Sequence, residues 1–341
     1  MTPRSRLPAA LCAWLLLVCG CARQSAPVAT ATPTPTPTPA VADPLNGVMV
    51  APAAVRHRIA AVMIDNYPDA RPQSGLYDAD VVYEVEAEGG ITRYMALYLG
   101  DAPAIVGPVR SARTYFVDLA RPYDPFFAHA GQNDDTIEQL AALRGAGFSD
   151  MDEIQHTPEA FWRDGSRDMP HNLYTGIARM RKVGPSYGYA DRPYQGDEFA
   201  FAPASATSSD PADVVASFWL EYDVHFVWDG AAYQRFIDGQ AQHDRDDDRP
   251  YRVRDIIAVW IPARVLDAIG DLSMDVYGRF PAVLVRDGRA TPGLWDAQGP
   301  ATLPQLNDEA GAPLALTPGQ IYVEVMPQGS SFSVGKQVWS H

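Results

Sequence analysis

The sequence predicts an α/β N-terminal domain over 45–195, containing a Gly-Gly hairpin, followed by a mostly β domain over 213–341. Three observations carry this. Before residue 196, short apolar runs alternate with helix-like runs, the order expected of an α/β sheet. After 213, β-branched and aromatic runs such as DVHFVW, AYQRFIDG, DIIAVWIP, PAVLVRDG and GQIYVEVM follow one another between Gly, Pro and Asp turns. Between them, GDEFAFAPASATSSDPAD replaces periodic pattern with small and turn residues, so 196–212 reads as a linker.

The chain begins with Arg4 and Arg6, an apolar run over 9–18 and a small residue before Cys21, the order of a secretory signal over 1–20. The apolar run is shorter than the ~20 residues that span a bilayer. V-C-G-C is similar to the bacterial lipobox, in which the cysteine is acylated and becomes the new N-terminus. A plain secretion signal with Cys21 incidental is the alternative. Residues 21–44 contain a Thr-Pro repeat and read as an extended, solvated tether, reaching ~3.1 Å per residue. All three cysteines, Cys12, Cys19 and Cys21, lie at or before the cleavage point. The folded body therefore offers no disulfide, thiol nucleophile or Cys-ligated metal.

Within the first part, 59–65 (IAAVMID) is an apolar strand ending at Asp65 and Asn66. Runs 81–88 and 91–99 flank Gly89-Gly90, a two-residue hairpin signal. A tight turn there puts Glu86 opposite Arg93, Glu84 opposite Met95 and Glu88 opposite Ile91. Period-two alternation places all three glutamates on one face, where something cationic or aqueous must meet them. GPVRSAR precedes the helix-like TYFVDLA with Ser111 as candidate N-cap, and PFFAHA is a buried strand ending at His129. Asn133 or Asp134 caps TIEQLAALRG, and Thr175 caps the helix after PHNLYT.

The densest polar set joins Asp65, Asn66, Arg71, Arg93, Arg110, Ser111, Arg113, His129, His171 and Asn172 to Glu84, Glu86 and Glu88, with Arg163 nearby. Ligands of open α/β sheets bind beyond the carboxyl ends of strands, where helix starts expose N–H groups. Two readings stand: an arginine-lined pocket for a carboxylate or phosphate, or an internal network in which Arg71, Arg110 and Arg113 neutralise the strand glutamates. Ser111 lacks a Gly-x-Ser-x-Gly elbow, and the histidines lack metal-ligand spacing. Glu86 paired with Arg93 is simplest as a cross-strand ion pair. Glu84 and Glu88, with His129, are then the acid/base candidates.

In the second part, HDRDDDR (243–249) lacks the spacing of a calcium loop and reads as a solvated hairpin tip. Trp219, Phe226, Trp228, Tyr233, Phe236, Trp260 and Trp295 form either core or a glycan-stacking face. No metal or cofactor motif is found. The chain carries net charge −15, and loss of Arg4 and Arg6 with the signal leaves 25 basic against 42 acidic residues, or −17. So acidic a chain repels nucleic acid and anionic lipid outside local basic patches.

The stretches AVMIDNYPDARPQSGLYDADVVYEVEAEGGITRYMALY, GPVRSARTYFVDLA, FFAHAGQ, FWRDGSRDMPHNLYT, VWDGAAYQRFIDGQAQHD and AVLVRDGRATPGLWD resemble the YerB-like lipoproteins of bacteria. That family is a domain of unknown function with N- and C-terminal parts, and the similarity spans roughly 44–327. The resemblance agrees with acylation at Cys21 and supplies no activity. The sequence thus leads to an exported protein, lipid-anchored to the cell or outer membrane, that binds an anionic small molecule or cell-wall glycan or peptide fragment. An envelope hydrolase using Glu/His acid-base chemistry and a protein-interaction scaffold without a pocket are the alternatives.

Overall fold

Ten strands drawn from both parts of the chain hydrogen-bond into one central sheet. The computed structural model describes residues 39–154, 157–196, 199–205, 213–219 and 222–341. The expected signal and most of the tether and of the linker lie outside these residues.

In chain order the first strands are β1 (Val41–Ala42), β2 (Met49–Val50), β3 (Ala60–Asp65), β4 (Val81–Glu86) and β5 (Thr92–Tyr98). Then come α1 (Thr114–Ala120), β6 (Phe126–His129), α2 (Asp134–Gly145), β7 (Ser149–Asp152), β8 (Phe161–Arg163), β9 (Leu173–Thr175) and α3 (Ile177–Val183). The remainder is all strand: β10 (Val214–Ser217), β11 (Asp223–Trp228), β12 (Tyr233–Ile237), β13 (Gln240–Ala241), β14 (Arg252–Val253), β15 (Asp255–Ile261), β16 (Ala263–Val265) and β17 (Leu272–Met274). It closes with β18 (Gly278–Arg286), β19 (Arg289–Ala297), β20 (Gln305–Asn307), β21 (Ile321–Pro327), β22 (Ser331–Val334) and β23 (Gln337–Ser340). The N-terminal part therefore mixes strands and helices, and the C-terminal part is mostly β.

The central order is β20-β19-β18-β15-β21-β4-β5-β3-β6-β7. β21 joins the two parts, lying parallel to both β15 and β4. β3, β4, β15 and β21 are buried along their whole length, and their near-continuous apolar runs are what two covered faces require. One face meets α1, β17 and Phe199, which packs on Trp295 of β19. The other meets α3 and the second sheet, β13-β12-β11-β10-β22-β23 with β14 beside β12. Arg235, Glu84 and Glu324 are buried at that second interface.

Several local expectations are corrected. β4 and β5 do pair, but the turn spans Glu88, Gly89 and Gly90, with Ala87 N–H donating to Ile91 O at 2.7 Å. One extra turn residue shifts the register, so Glu86 faces Thr92, Glu84 faces Tyr94 and Val85 faces Arg93. Glu88 leaves the strand altogether. The N-cap of α1 is Arg113 rather than Ser111, and that of α3 is Gly176 rather than Thr175, which sits in β9 and donates to Ala160 O at 2.9 Å. Asn133 does cap α2, accepting from Thr136 N–H at 3.2 Å. The fold already includes the last tether residues, since Val41 pairs with Val50 and Asp43 is buried. Likewise 199–205, inside the expected linker, packs down: Phe199 is core, and Ala202 N–H donates to Leu316 O at 2.8 Å. Phe226, Trp228, Tyr233, Trp260 and Trp295 are core as well. The tip of the 243–249 loop is exposed at 246–248, as expected, but its base is docked: Asp244 accepts from Gly75 N–H and Arg245 reaches Tyr174 Oη, each at 2.7 Å.

Candidate functional site

Strands β3, β4, β6, β7, β15 and β21 run in one direction, so Asp65, Glu86, His129 and Asp152 end at the same edge of the sheet. There β3 and β6 diverge. The extended segment 107–112 is wedged between them: Arg110 N–H donates to Met63 O at 2.9 Å, and Ala130 N–H donates to Arg110 O at 3.1 Å. This wedge brings Arg110 and Ser111 to the edge where strand-end ligand sites form.

Asp65 is the hub. Its Oδ1 accepts from Tyr67 N–H at 3.0 Å, and its Oδ2 meets His171 Nδ1 at 2.7 Å and Arg110 Nε at 3.4 Å. The Tyr67 ring stacks on His171 with centroids 5.1 Å apart. A carboxylate on Nδ1 orients the imidazole and leaves Nε2 for a ligand. Arg110 keeps 32 % of its side chain exposed, and among the described residues neither of its Nη atoms has a hydrogen-bond partner. Arg163 donates to Asn172 Oδ1 at 3.0 Å, and Asn172 in turn donates to Arg167 O at 3.2 Å.

The other expected residues are tied off beneath the surface. Asn66 is fully buried; its amide donates to Thr92 Oγ1 and Tyr222 Oη, at 2.7 and 2.8 Å. Arg71 grips Asn66, its Nη2 donating to the carbonyl at 2.8 Å. Arg93 donates to Glu88 Oε2 at 2.7 Å, and Arg113 closes on the other oxygen of Glu88. Burial raises the Glu88 pKa, but the two guanidinium groups outweigh it and hold it below the usual range. Ser111 contributes its carbonyl to Arg93 at 3.3 Å. His129 is wholly buried, with Nε2 2.7 Å from Asp150; Arg144 pairs with the second oxygen of that carboxylate. Arg93 and Arg113 thus belong to an internal network, whereas Arg110 stands at the sheet edge with part of its side chain exposed.

The glutamates exchange roles relative to expectation. Glu84 is bound by Arg235 and accepts from Thr92 Oγ1 at 2.6 Å. The Glu86 carboxyl has no cation among the described residues; its one hydrogen bond there comes from Trp219 N–H at 3.2 Å, and burial pushes its pKa up to about 7. Glu86 is therefore a carboxyl whose proton is available near neutrality, whereas Glu88 is shifted the other way. Arg235 and Glu324 escaped the sequence reading because each stands alone in a strand whose other residues give a core pattern. Glu324 lies opposite Glu84 in the register, and burial, then the Glu84 charge, push its pKa well above the usual range. No group of three His, Cys, Asp or Glu side chains able to hold a metal exists among the described residues.

The chain matches two family models, "Protein of unknown function (DUF3048) N-terminal domain" over 45–190 and "Protein of unknown function (DUF3048) C-terminal domain" over 214–323. It is 30 % identical over 303 residues to "Putative lipoprotein YerB" of Bacillus subtilis (strain 168), covering 86 % of this chain and 88 % of that one. The crystal structure of YerB from Bacillus subtilis matches with a TM-score of 0.76 at 29 % identity, over 86 % of this chain and 99 % of that chain. Both segments match in order and the relative aligns across them, so the chain belongs to the YerB-like DUF3048 family of proteins of unknown function.

Proposed function

We propose that this protein is an envelope lipoprotein, anchored by acylated Cys21, that binds an anionic group of a small molecule or cell-wall fragment at Arg110 and His171. The observation that carries the reading is their convergence on one oxygen of Asp65, at 3.4 and 2.7 Å, with the Arg110 Nη donors unspent. A partly exposed guanidinium beside an oriented imidazole suits a carboxylate or phosphate. The relative's printed name supports the anchoring, and no helix among the described residues is long and apolar enough to cross a membrane. The hydrolase alternative has less support, because Glu84 and His129 are buried in ion pairs and Glu88 is held by Arg93 and Arg113.

The test is a thermal-shift panel of phosphate, citrate and muropeptide fragments against wild type, Arg110→Ala and His171→Ala. At least one ligand should raise the wild-type melting temperature by mass action, and both variants should lose that shift. No shift with any member, or shifts unchanged in both variants, would overturn the site. For the anchor, Cys21→Ala should move the protein from the membrane fraction to the soluble fraction.

A further inference from the structure

Where the β4–β5 turn approaches the β16–β17 hairpin there is a cavity of about 370 Å³. Its walls are Ala87, Gly89, Gly90, Trp219, Val265 and Leu272, and the one charged group among its lining residues is Glu86. Oε2 of Glu86 accepts the Trp219 N–H, while Oε1 has no hydrogen bond among the described residues. None of the charged groups of the surrounding elements pairs with Glu86 among the described residues: Arg264 on β16 and Asp267 in the hairpin are exposed, and the others are committed elsewhere. Arg93 and Arg113 hold Glu88, Arg113 Nε also lies 3.6 Å from Asp271, and Glu84 is bound by Arg235. A larger cavity, beside Arg58 and Arg192, contrasts with this one: both of those guanidinium groups are neutralised by Asp124.

A carboxyl in an apolar wall with no counterion is costly when ionised. A ligand that brings the missing positive charge removes that cost, and apolar walls favour a body without further polar groups. The strongly acidic chain also draws cations towards its surface. We propose that this cavity binds a small primary amine with an apolar body, its ammonium group pairing with the Glu86 carboxylate. An apolar cavity of roughly 150 Å³ suffices for benzene, so the space accommodates an alkyl or aryl amine of several carbons. The indole of Trp219 offers an aromatic wall, and an ammonium over such a face gains further attraction. The site is separate from the Arg110 and His171 rim and selects the opposite charge.

Calorimetric titration of the purified full chain with n-butylammonium, n-butanol and butyrate, against micelle blanks, tests this. Butylammonium should bind, butanol weakly and butyrate not at all. Since burial places the Glu86 pKa at about 7, the amine affinity should rise about tenfold between pH 6 and pH 8.5 as the carboxyl ionises, while butanol binding stays flat. Glu86→Gln should lose at least tenfold in amine affinity at pH 8.5 and lose the pH dependence. Leu272→Trp, which fills the cavity, should abolish binding of both probes, and Arg110→Ala should change neither. The proposal is overturned if wild type does not bind the amine, if butanol binds as tightly at pH 8.5, or if folded Glu86→Gln binds as wild type does.

Discussion

Arg235 on β12 and Glu84 on β4, 151 positions apart in the chain, form an ion pair with both side chains fully buried. The Arg235 guanidinium also lies over the rings of Tyr94 and Tyr322, at 5.3 and 5.6 Å. Removing one partner of such a pair strands a charge, so Arg235→Met should cost roughly 3–5 kcal/mol in urea denaturation. Burial and the Glu84 charge push the Glu324 pKa well above the usual range, so Glu324→Gln, which keeps the side-chain shape and removes no ion pair, should cost clearly less than Arg235→Met. Equal losses in the two variants would show that Glu324 is ionised in the fold.

Stability should peak on the acid side of neutrality. Burial pushes Glu86 and Asp255 up to about 7, so the folded chain holds protons that the unfolded chain releases above about pH 4.5. Their contribution is complete below that point and is lost as the pH rises through 7, by up to ~1.4 kcal/mol per pH unit for each group. Glu88, Asp150 and Asp287 are shifted the other way, and their contribution is lost as the pH falls through the folded pKa values, below the usual carboxylate range. Urea midpoints measured from pH 4 to 8.5 should decline between 5 and 8, and Glu86→Gln with Asp255→Asn should flatten that decline.

Arg110 and His129 should separate rim from core. Arg110→Ala leaves Asp65 with His171 and the Tyr67 N–H, so its melting temperature should fall by no more than a few degrees. His129→Ala removes a buried ring from between Phe127 and Asp150 and leaves the carboxylate short of a partner. A loss of roughly 3 kcal/mol or more is expected there. Comparable melting temperatures for the two variants would contradict the burial difference between them.

The shared sheet predicts that the N-terminal part cannot stand alone. In residues 39–196 by themselves β4 loses β21 and becomes an unpaired apolar edge, and the face carrying Glu84 loses the second sheet. That fragment should give a poorly dispersed amide spectrum, whereas the full chain should unfold in urea as a single transition by fluorescence and circular dichroism. A well-dispersed spectrum from the fragment would refute the dependence.

Local pattern was enough to read most elements. The run IAAVMID could only be a buried strand, TIEQLAALRG with Asn133 before it could only begin a capped helix, and the C-terminal runs with turn residues between them read as strands. Those signals are local, because side-chain periodicity and turn chemistry act over a few residues. The turn at Glu88 was misread because Gly89 and Gly90 both allow left-handed backbone, and a three-residue loop fits as well as a two-residue one. That one-residue difference changed every cross-strand partner of Glu84 and Glu86.

By itself the sequence determined an acidic folded body without cysteine, with three closely spaced carboxylates at Glu84, Glu86 and Glu88 that it read as one strand face. Tertiary structure decided what became of each. Glu84 met Arg235 from β12, Glu88 met Arg93 and Arg113, and Glu86 met an apolar cavity beside Trp219. The physical reason is that a carboxyl's charge state depends on the cation and the water within a few ångströms of it. Those neighbours arrive from chain segments five to about 150 residues away, through strand pairings that no local pattern encodes.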